Sequence, residues 1–243
     1  MTAILRASGI LQGVDGEATF TRHDGTAARV TRSAQVGDGP VAADARIVLQ
    51  VSRWDRLKDP VGVMDSFVRF IAPRTDACLV LAGPAATSVI DDPEQPEILE
   101  DLGRRHKAMP AATRHRVVIA QIPMQDTEEN AAINALQRRA DVVVQKSLAE
   151  GFGLTVSEAM WKRRPVVASR VGGIPDQIEQ GKSGILVDDA RDLRAFGDAV
   201  VGLLQDGPPA RWLGVEARHR VARKFISPCH LIEQARLVVD LVS

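Results

Sequence analysis

Beyond residue 46 the chain repeats one pattern: a short unbroken apolar run, a polar turn, then a longer stretch with apolar residues every three or four positions. The unbroken runs are 47–51, 78–82, 117–120, 142–145, 165–169 and 184–187. They are short for helices and lack the alternation of a strand with one wet face. Strands covered on both sides of a parallel sheet read this way. The periodic stretches predict helices over 61–71, 96–108, 128–139, 155–162, 175–180 and 193–205, with two more over 209–224 and 229–241. Such alternation predicts an α/β fold with a doubly wound parallel sheet, whose ligands lie beyond the carboxyl ends of the strands.

The first 45 residues break that rhythm. Residues 2–10 predict a short helix. Two alternating segments, 18–22 and 27–31, flank His23-Asp24-Gly25, and an Asp-Gly turn in that setting predicts a hairpin. Residues 33–45, rich in Gly, Ala and Asp, read as linker. Three regions are expected: a small N-terminal helix and hairpin extension over 1–45, the α/β domain over 46–225, and a C-terminal helix over 226–243.

Composition narrows the function classes. Lysine plus arginine and aspartate plus glutamate stand at 31 each in 243 residues, so no net field draws the chain to nucleic acid or to an anionic membrane. Any anion must be met locally. Tyrosine is absent and aromatics make up 4%, which removes the stacking platform that single-stranded nucleic acid needs. No apolar run approaches the roughly 20 residues of a membrane span, and the N-terminus lacks a charged-then-apolar leader pattern, so a cytoplasmic protein is expected. Cys78 and Cys229 lie far apart without metal-ligand spacing and are expected as reduced thiols. No histidine has an acidic or cysteine partner at ligand spacing, and neither a metal nor another cofactor is expected. Ser52, Ser147 and Ser157 lack a nucleophile-elbow setting, which argues against a hydrolase.

The densest chemistry is the run Glu150-Gly151-Phe152-Gly153-Leu154-Thr155-Val156-Ser157-Glu158-Ala159-Met160. Its glycines let backbone approach a ligand, the helix that follows offers free N–H groups to phosphate oxygens, and its two carboxylates can accept hydrogen bonds from sugar hydroxyls. Glu158, placed in the first turn of that helix, also complements the helix dipole without any ligand. Just past the first core strand stand Arg53 and Lys58, a forked donor and a compact charge that together can neutralise a diphosphate without a metal. By position alone they are equally two solvated loop cations. Arg56 between them is expected to face solvent. Gly172 and Gly173 follow the next strand, where adjacent glycines serve either close ligand approach or a tight strand-to-helix turn. Met160 and Trp161 are expected in the core.

Embedded in EGFGLTVSEAM and followed by PVVAS and VGG, the glutamate pair resembles the E-x7-E glycosyltransferases of the GT-B fold, family 4. The wording MWKRRPVV leans toward the trehalose-forming type. The likeness covers residues 46–225 and implies the Rossmann-like C-terminal, donor-binding domain of such an enzyme. It implies that Glu158 holds ribose hydroxyls, that Glu150 contacts the transferred sugar, and that Arg53 and Lys58 stabilise the leaving diphosphate. Gly151, Phe152, Gly153, Leu154 and Thr155 would supply backbone to sugar and phosphate, with Gly172 and Gly173 on the same crevice and the backbone near Ile122 against the base. The implied reaction moves glucose, with retention, from a nucleoside diphosphate glucose to a sugar acceptor, glucose itself in the trehalose-forming case. Two alternatives stand beside it: a non-catalytic nucleotide-sugar-binding subunit that needs a separate acceptor domain, and an inactive remnant. A GT-B phosphorylase is less favoured, because no lysine-cofactor motif is evident. Some 45 residues before the first core strand are too few for the N-terminal domain of such enzymes, so a fragment or a separate partner domain is expected. The closing helix, with Leu231, Ile232, Ala235, Val238, Val239 and Val242 as an apolar stripe, is then expected to drive self-association or to meet that partner.

Overall fold

The computed structural model describes residues 1–13, 17–37, 39–85, 94–123 and 127–226, together with Leu231 and Val239. The chain opens with α1 (Thr2–Ala7), the strands β1 (Thr19–Thr21), β2 (Ala27–Arg29) and β3 (Gln35–Val36), and then β4 (Ile47–Val51). There follow α2 (Pro60–Ser66), β5 (Cys78–Pro84), α3 (Glu94–Ala108), α4 (Ala111–Arg114), β6 (Val117–Ile122) and α5 (Glu128–Arg139). The second half holds β7 (Val142–Gln145), α6 (Leu154–Trp161), β8 (Val166–Ser169), α7 (Ile174–Gln177), β9 (Ile185–Val187), α8 (Leu193–Gln205) and α9 (Gly207–Lys224).

Seven strands form one sheet in the order β3-β6-β5-β4-β7-β8-β9, parallel throughout except for β3. Every residue of β4, β5, β7 and β8 is buried, which is why they read as nearly continuous apolar runs, with the polar Gln50, Gln145 and Ser169 at or next to their carboxyl ends. Leu5, Leu136 and Met160 from α1, α5 and α6 cover one face. Met64, Leu102 and Phe196 from α2, α3 and α8 cover the other. Each fully buried side chain of this size contributes roughly 1.5–3 kcal/mol. Cys78 lies in this interior, and burial raises its thiol above the ordinary value. Among the described residues no helix is long and apolar enough to cross a membrane.

Several elements depart from the pattern-based expectation, each for a local reason. The stretch 33–45, read as linker, contains β3, whose Gln35 and Val36 pair antiparallel with Gln121 and Ala120. It covers the outer edge of β6, an edge that unpaired backbone would leave open. Two residues are too few for alternation to show. The helix expected over 61–71 divides into α2, capped by the Asp59 carboxylate on Gly62 N–H, and a π-helical turn Phe67–Ile71. The helix expected over 175–180 stops at Gln177, because Ile178 turns extended and Gln180 bridges to Gly184. The first helix ends at Ala7 rather than at residue 10. The closing helix over 229–241 falls outside the described residues except for Leu231 and Val239, both exposed.

The hairpin is β1 paired with β2, Phe20 opposite Ala28, around an Asp24 carboxylate that accepts from Thr26 N–H at 2.9 Å. Its exit is tied to the domain by Glu128, which accepts from Thr31 N–H (3.1 Å), Thr31 Oγ1 (2.7 Å) and Arg32 N–H (3.2 Å). Partial burial opposes the charge on Glu128, but the Thr31 and Arg32 bonds outweigh it and hold its carboxyl below the ordinary glutamate value. A depressed carboxylate stabilises the fold above its unfolded pKa and loses that contribution as pH falls through the lower folded value. Amide exchange at Thr31 and Arg32 is therefore expected to accelerate, after correction for intrinsic exchange, as pH falls through that lowered value. Glu128→Gln should flatten that dependence; equal protection in both proteins across the range would refute the tie.

Candidate functional site

Chain order reverses between the neighbouring strands β4 and β7, and at such a switch point the loops leaving the two strands part to form a crevice. The loop after β4 carries Arg53 and Lys58; the loop after β7 carries Lys146 to Gly153. Lys58 Nζ lies 2.6 Å from Glu150 Oε2, with 18% and 9% of the two side chains exposed. The sequence thus brings together two of its predicted site residues from loops 92 positions apart. Ser147 Oγ donates to the same Glu150 oxygen at 3.3 Å, and Gly151 N–H donates to the other at 3.1 Å. Gln145 Nε2 donates to Ser147 Oγ at 2.9 Å while Gln145 Oε1 accepts from Thr155 Oγ1 at 2.9 Å. One hydrogen-bonded chain therefore runs from Thr155 to Glu150 to Lys58, and it fixes the carboxylate in a single orientation.

The two loops are also joined by groups that the sequence reading did not single out. Lys146 is buried and forms an ion pair with Asp59. Leu148 N–H donates to Leu57 O across the two loops at 2.7 Å, and Gln50 Nε2 of β4 donates to Lys58 O within the first loop at 2.8 Å. The signal was present in VVVQKS, where polar residues end an otherwise apolar strand on the side where ligands sit. Arg53 is more open and meets Asp55 Oδ2 at 3.1 Å. Arg56 is exposed, as expected, and pairs with Glu97 on α3.

The glycine turn is built by contacts that admit no side chain. Gly153 adopts φ +85 as it enters α6. Gly172, at φ +55, lies so close to the preceding loop that a Cβ would stand 1.7 Å from Glu150 O. Gly173 N–H donates to Gly151 O at 2.7 Å. Of the alternatives for the glycine pair, tight packing is therefore visible directly. The buried Gln177 side chain donates to Phe152 O, pinning the same turn from below. Gly151 has open space around it, and Phe152 and Leu154 are exposed beside it. Ile122 is buried, and its carbonyl accepts from Ala85 N–H at 2.8 Å.

Glu158 lies on the second turn of α6, not the first, because the helix already begins at Leu154. Its Oε2 accepts from Gln137 Nε2 at 3.1 Å, and the same buried amide accepts from Lys162. Burial lowers the Lys162 pKa; Glu158 nearby works in the opposite direction. Trp161, expected in the core, is 38% exposed, with the Arg218 guanidinium 4.5 Å from its ring centroid. The helix face toward the sheet is filled by Val156, Ala159 and Met160, so Trp161 falls on the outer side.

Glu158 and Thr155 open onto a cavity of about 730 Å³. Val51 at the end of β4 marks its crevice side, and Asn130, Asn134 and Arg138 of α5 line its length. Phe20, Thr21, Arg22 and His23 of the hairpin, with Met1 and Ile4, form the opposite wall. Among the described residues, no three His, Cys, Asp or Glu side chains group as metal ligands would.

Residues 33–221 match the family model for glycosyl transferases group 1. The chain belongs to that family. Its sheet and helices are the Rossmann-like domain of the GT-B fold. A trehalose synthase from Rubrobacter xylanophilus is 39% identical over 202 residues, which are 83% of this chain and 45% of that protein. A sucrose-phosphate synthase from Thermosynechococcus elongatus superposes with a TM-score of 0.64 at 30% identity, over 82% of this chain and 46% of the other. Anabaena HepE in complex with UDP gives a TM-score of 0.64 over 81% of this chain and 50% of its own; at 18% identity that likeness concerns the fold. This glycosyltransferase group 1 chain thus spans about half the length of the relatives it matches.

Proposed function

We propose that this chain is the donor-binding half of a retaining glycosyltransferase that takes glucose from a nucleoside diphosphate glucose and passes it to a sugar acceptor, glucose in the trehalose-forming case. The observation that carries the reading is the Lys58–Glu150 pair at the switch point, with Glu158 opening onto an adjoining cavity of nucleoside size. The 39% identity to a trehalose synthase supports glucose and trehalose within it. In the proposed complex Lys58 and Arg53 face the diphosphate, the first turn of α6 adds N–H groups, and Glu158 accepts from the ribose diol. Glu150 accepts from a hydroxyl of the transferred sugar, held for that purpose by Ser147 and Lys58.

The acceptor oxygen forms its bond to the anomeric carbon on the face from which the diphosphate departs. The anomeric carbon to phosphate oxygen bond breaks, and the acceptor hydroxyl proton passes to the leaving phosphate. Positive charge fixed at Lys58 and Arg53 stabilises the negative charge that develops there, an effect worth several kcal/mol where water is excluded. No metal or cofactor takes part in the proposed step. Because the chain covers 45% of the Rubrobacter protein, a second reading is that it binds donor and relies on another polypeptide for the acceptor.

Calorimetric titration with UDP-, ADP- and GDP-glucose tests the shared claim. At least one donor is expected to bind, and Glu158→Ala and Arg53→Ala should each weaken it about tenfold or more, equivalent to roughly 1.4 kcal/mol. Absence of heat with all three donors would overturn both readings. Release of nucleoside diphosphate that depends on added glucose separates the first from the second.

A further inference from the structure

The family match begins at residue 33, so α1 and the β1–β2 hairpin lie outside it, yet they form one wall of the cavity that Glu158 faces. We propose that this added wall completes a nucleoside pocket: Phe20 of the hairpin covers the base while Asn130 and Asn134 of α5 read its polar edge, in place of the contact with the Ile122 backbone that the family resemblance implies, since Ile122 does not line this cavity. The proposal rests on the donor-site reading above, and it assigns to the N-terminal segment a role in nucleotide choice.

Four observations converge on it. The cavity is lined by Val51 at the end of β4 and Thr155 of α6, by Glu158, an acceptor for a diol, and by the hairpin residues Phe20 to His23. The volume of about 730 Å³ falls within the range of small-ligand sites. Asn130 and Asn134, four residues apart, share one exposed face of α5. The Asn134 side-chain carbonyl accepts from Arg138 Nε at 3.2 Å, which aims the remaining amide donors elsewhere. Thr127 Oγ1, at the start of the same helix and lining the same cavity, is buried with no hydrogen-bond partner among the described residues. A buried hydroxyl left unpaired costs stability, and a polar ligand edge would satisfy it.

The opposite wall is held in place rather than draped. Glu128 clamps Thr31 and Arg32 behind the hairpin, and Leu5 of α1 is fully buried in the core shared with Leu136 of α5. An aromatic face on one side with carboxamides on the other is the combination by which proteins hold an unstacked base, the ring packing and the amides reading donors and acceptors at its edge.

Calorimetry with ADP, UDP, GDP and inorganic pyrophosphate separates the two ends of the site. The parent protein is expected to bind at least one nucleoside diphosphate about tenfold or more tightly than pyrophosphate. Phe20→Ala and Asn134→Ala should each weaken that nucleotide about fivefold or more while pyrophosphate affinity stays within about twofold. Asn134 is exposed on a helix, so its variant keeps the test decisive if the hairpin variant misfolds. Unchanged nucleotide affinity in Asn134→Ala, with Phe20→Ala unchanged or misfolded, overturns the proposed pocket. A parent that binds pyrophosphate as tightly as every nucleotide also overturns it, yet leaves the diphosphate end standing. A parent that binds none of the four overturns the donor-site reading itself, and this pocket with it.

Discussion

Replacing Gly172 with alanine is expected to lower the unfolding free energy by roughly 2–5 kcal/mol, the sum of two separate costs. Its φ of +55 is a left-handed conformation, which costs an L side chain about 1–2 kcal/mol. The new Cβ would also stand 1.7 Å from Glu150 O, inside any tolerable contact, and overpacking of that kind costs about 1–3 kcal/mol. The obstacle is backbone and not the end of a flexible side chain, so relief requires the two loops to separate. Separation would break the Gly173 N–H bond to Gly151 O and release the turn that holds Glu150. Scanning calorimetry should show a Tm lower by roughly 4–20 °C, at about 2–4 °C per kcal/mol for a chain of this size. Gly151→Ala is the control: a Cβ there meets nothing within 4 Å, and its effect on stability should stay within about 0.5 kcal/mol. A Gly172→Ala protein melting with the parent would show that the loops are not packed as described.

That contrast between two glycines of one site illustrates what a sequence discloses. The doubly wound sheet was legible because both of its faces are covered, which writes each central strand as a nearly continuous apolar run. Strand β3 was not, because two edge residues leave no periodicity. Glu150, Glu158 and Lys58 could be named from motif and position, but the 2.6 Å bond between Lys58 and Glu150 depends on how loops 92 residues apart meet. Gln145 and Lys146 are marked in the sequence only as polar residues closing an apolar strand, and Gln137 as a lone amide in a helix carries no pattern; burial and partners reveal them as the groups that orient Thr155, Asp59 and Glu158. The N-terminal hairpin was predicted from its Asp-Gly turn, while its place beside the Glu158 cavity is tertiary information that no local signal encodes.

Lys58→Met is expected to affect stability and donor binding together, and a double variant separates the two. Methionine keeps most of the lysine stem, so packing changes little and the lost quantity is the charge. Glu150, with 9% of its side chain exposed, is then left without its cation and keeps only the Ser147 hydroxyl and Gly151 N–H. Breaking a buried pair from one side costs roughly 3–5 kcal/mol, and the 18% exposure of Lys58 places this pair toward the lower end. Lys58→Met with Glu150→Gln removes both charges, and most of the lost stability should return, because no uncompensated carboxylate remains. Donor binding should not return. If Lys58 meets the diphosphate, the double variant still lacks that cation, and glucose-dependent nucleotide release should remain about 10²–10³-fold below the parent, the scale of removing one fixed stabilising group. Glu150→Gln alone provides the remaining corner of the cycle, since it leaves Lys58 free to meet phosphate while weakening the sugar contact. Denaturant midpoints and calorimetric donor affinities for the four proteins would check this. A double variant that regained donor affinity along with stability would confine Lys58 to holding the loops together and leave Arg53 as the cation at the phosphates.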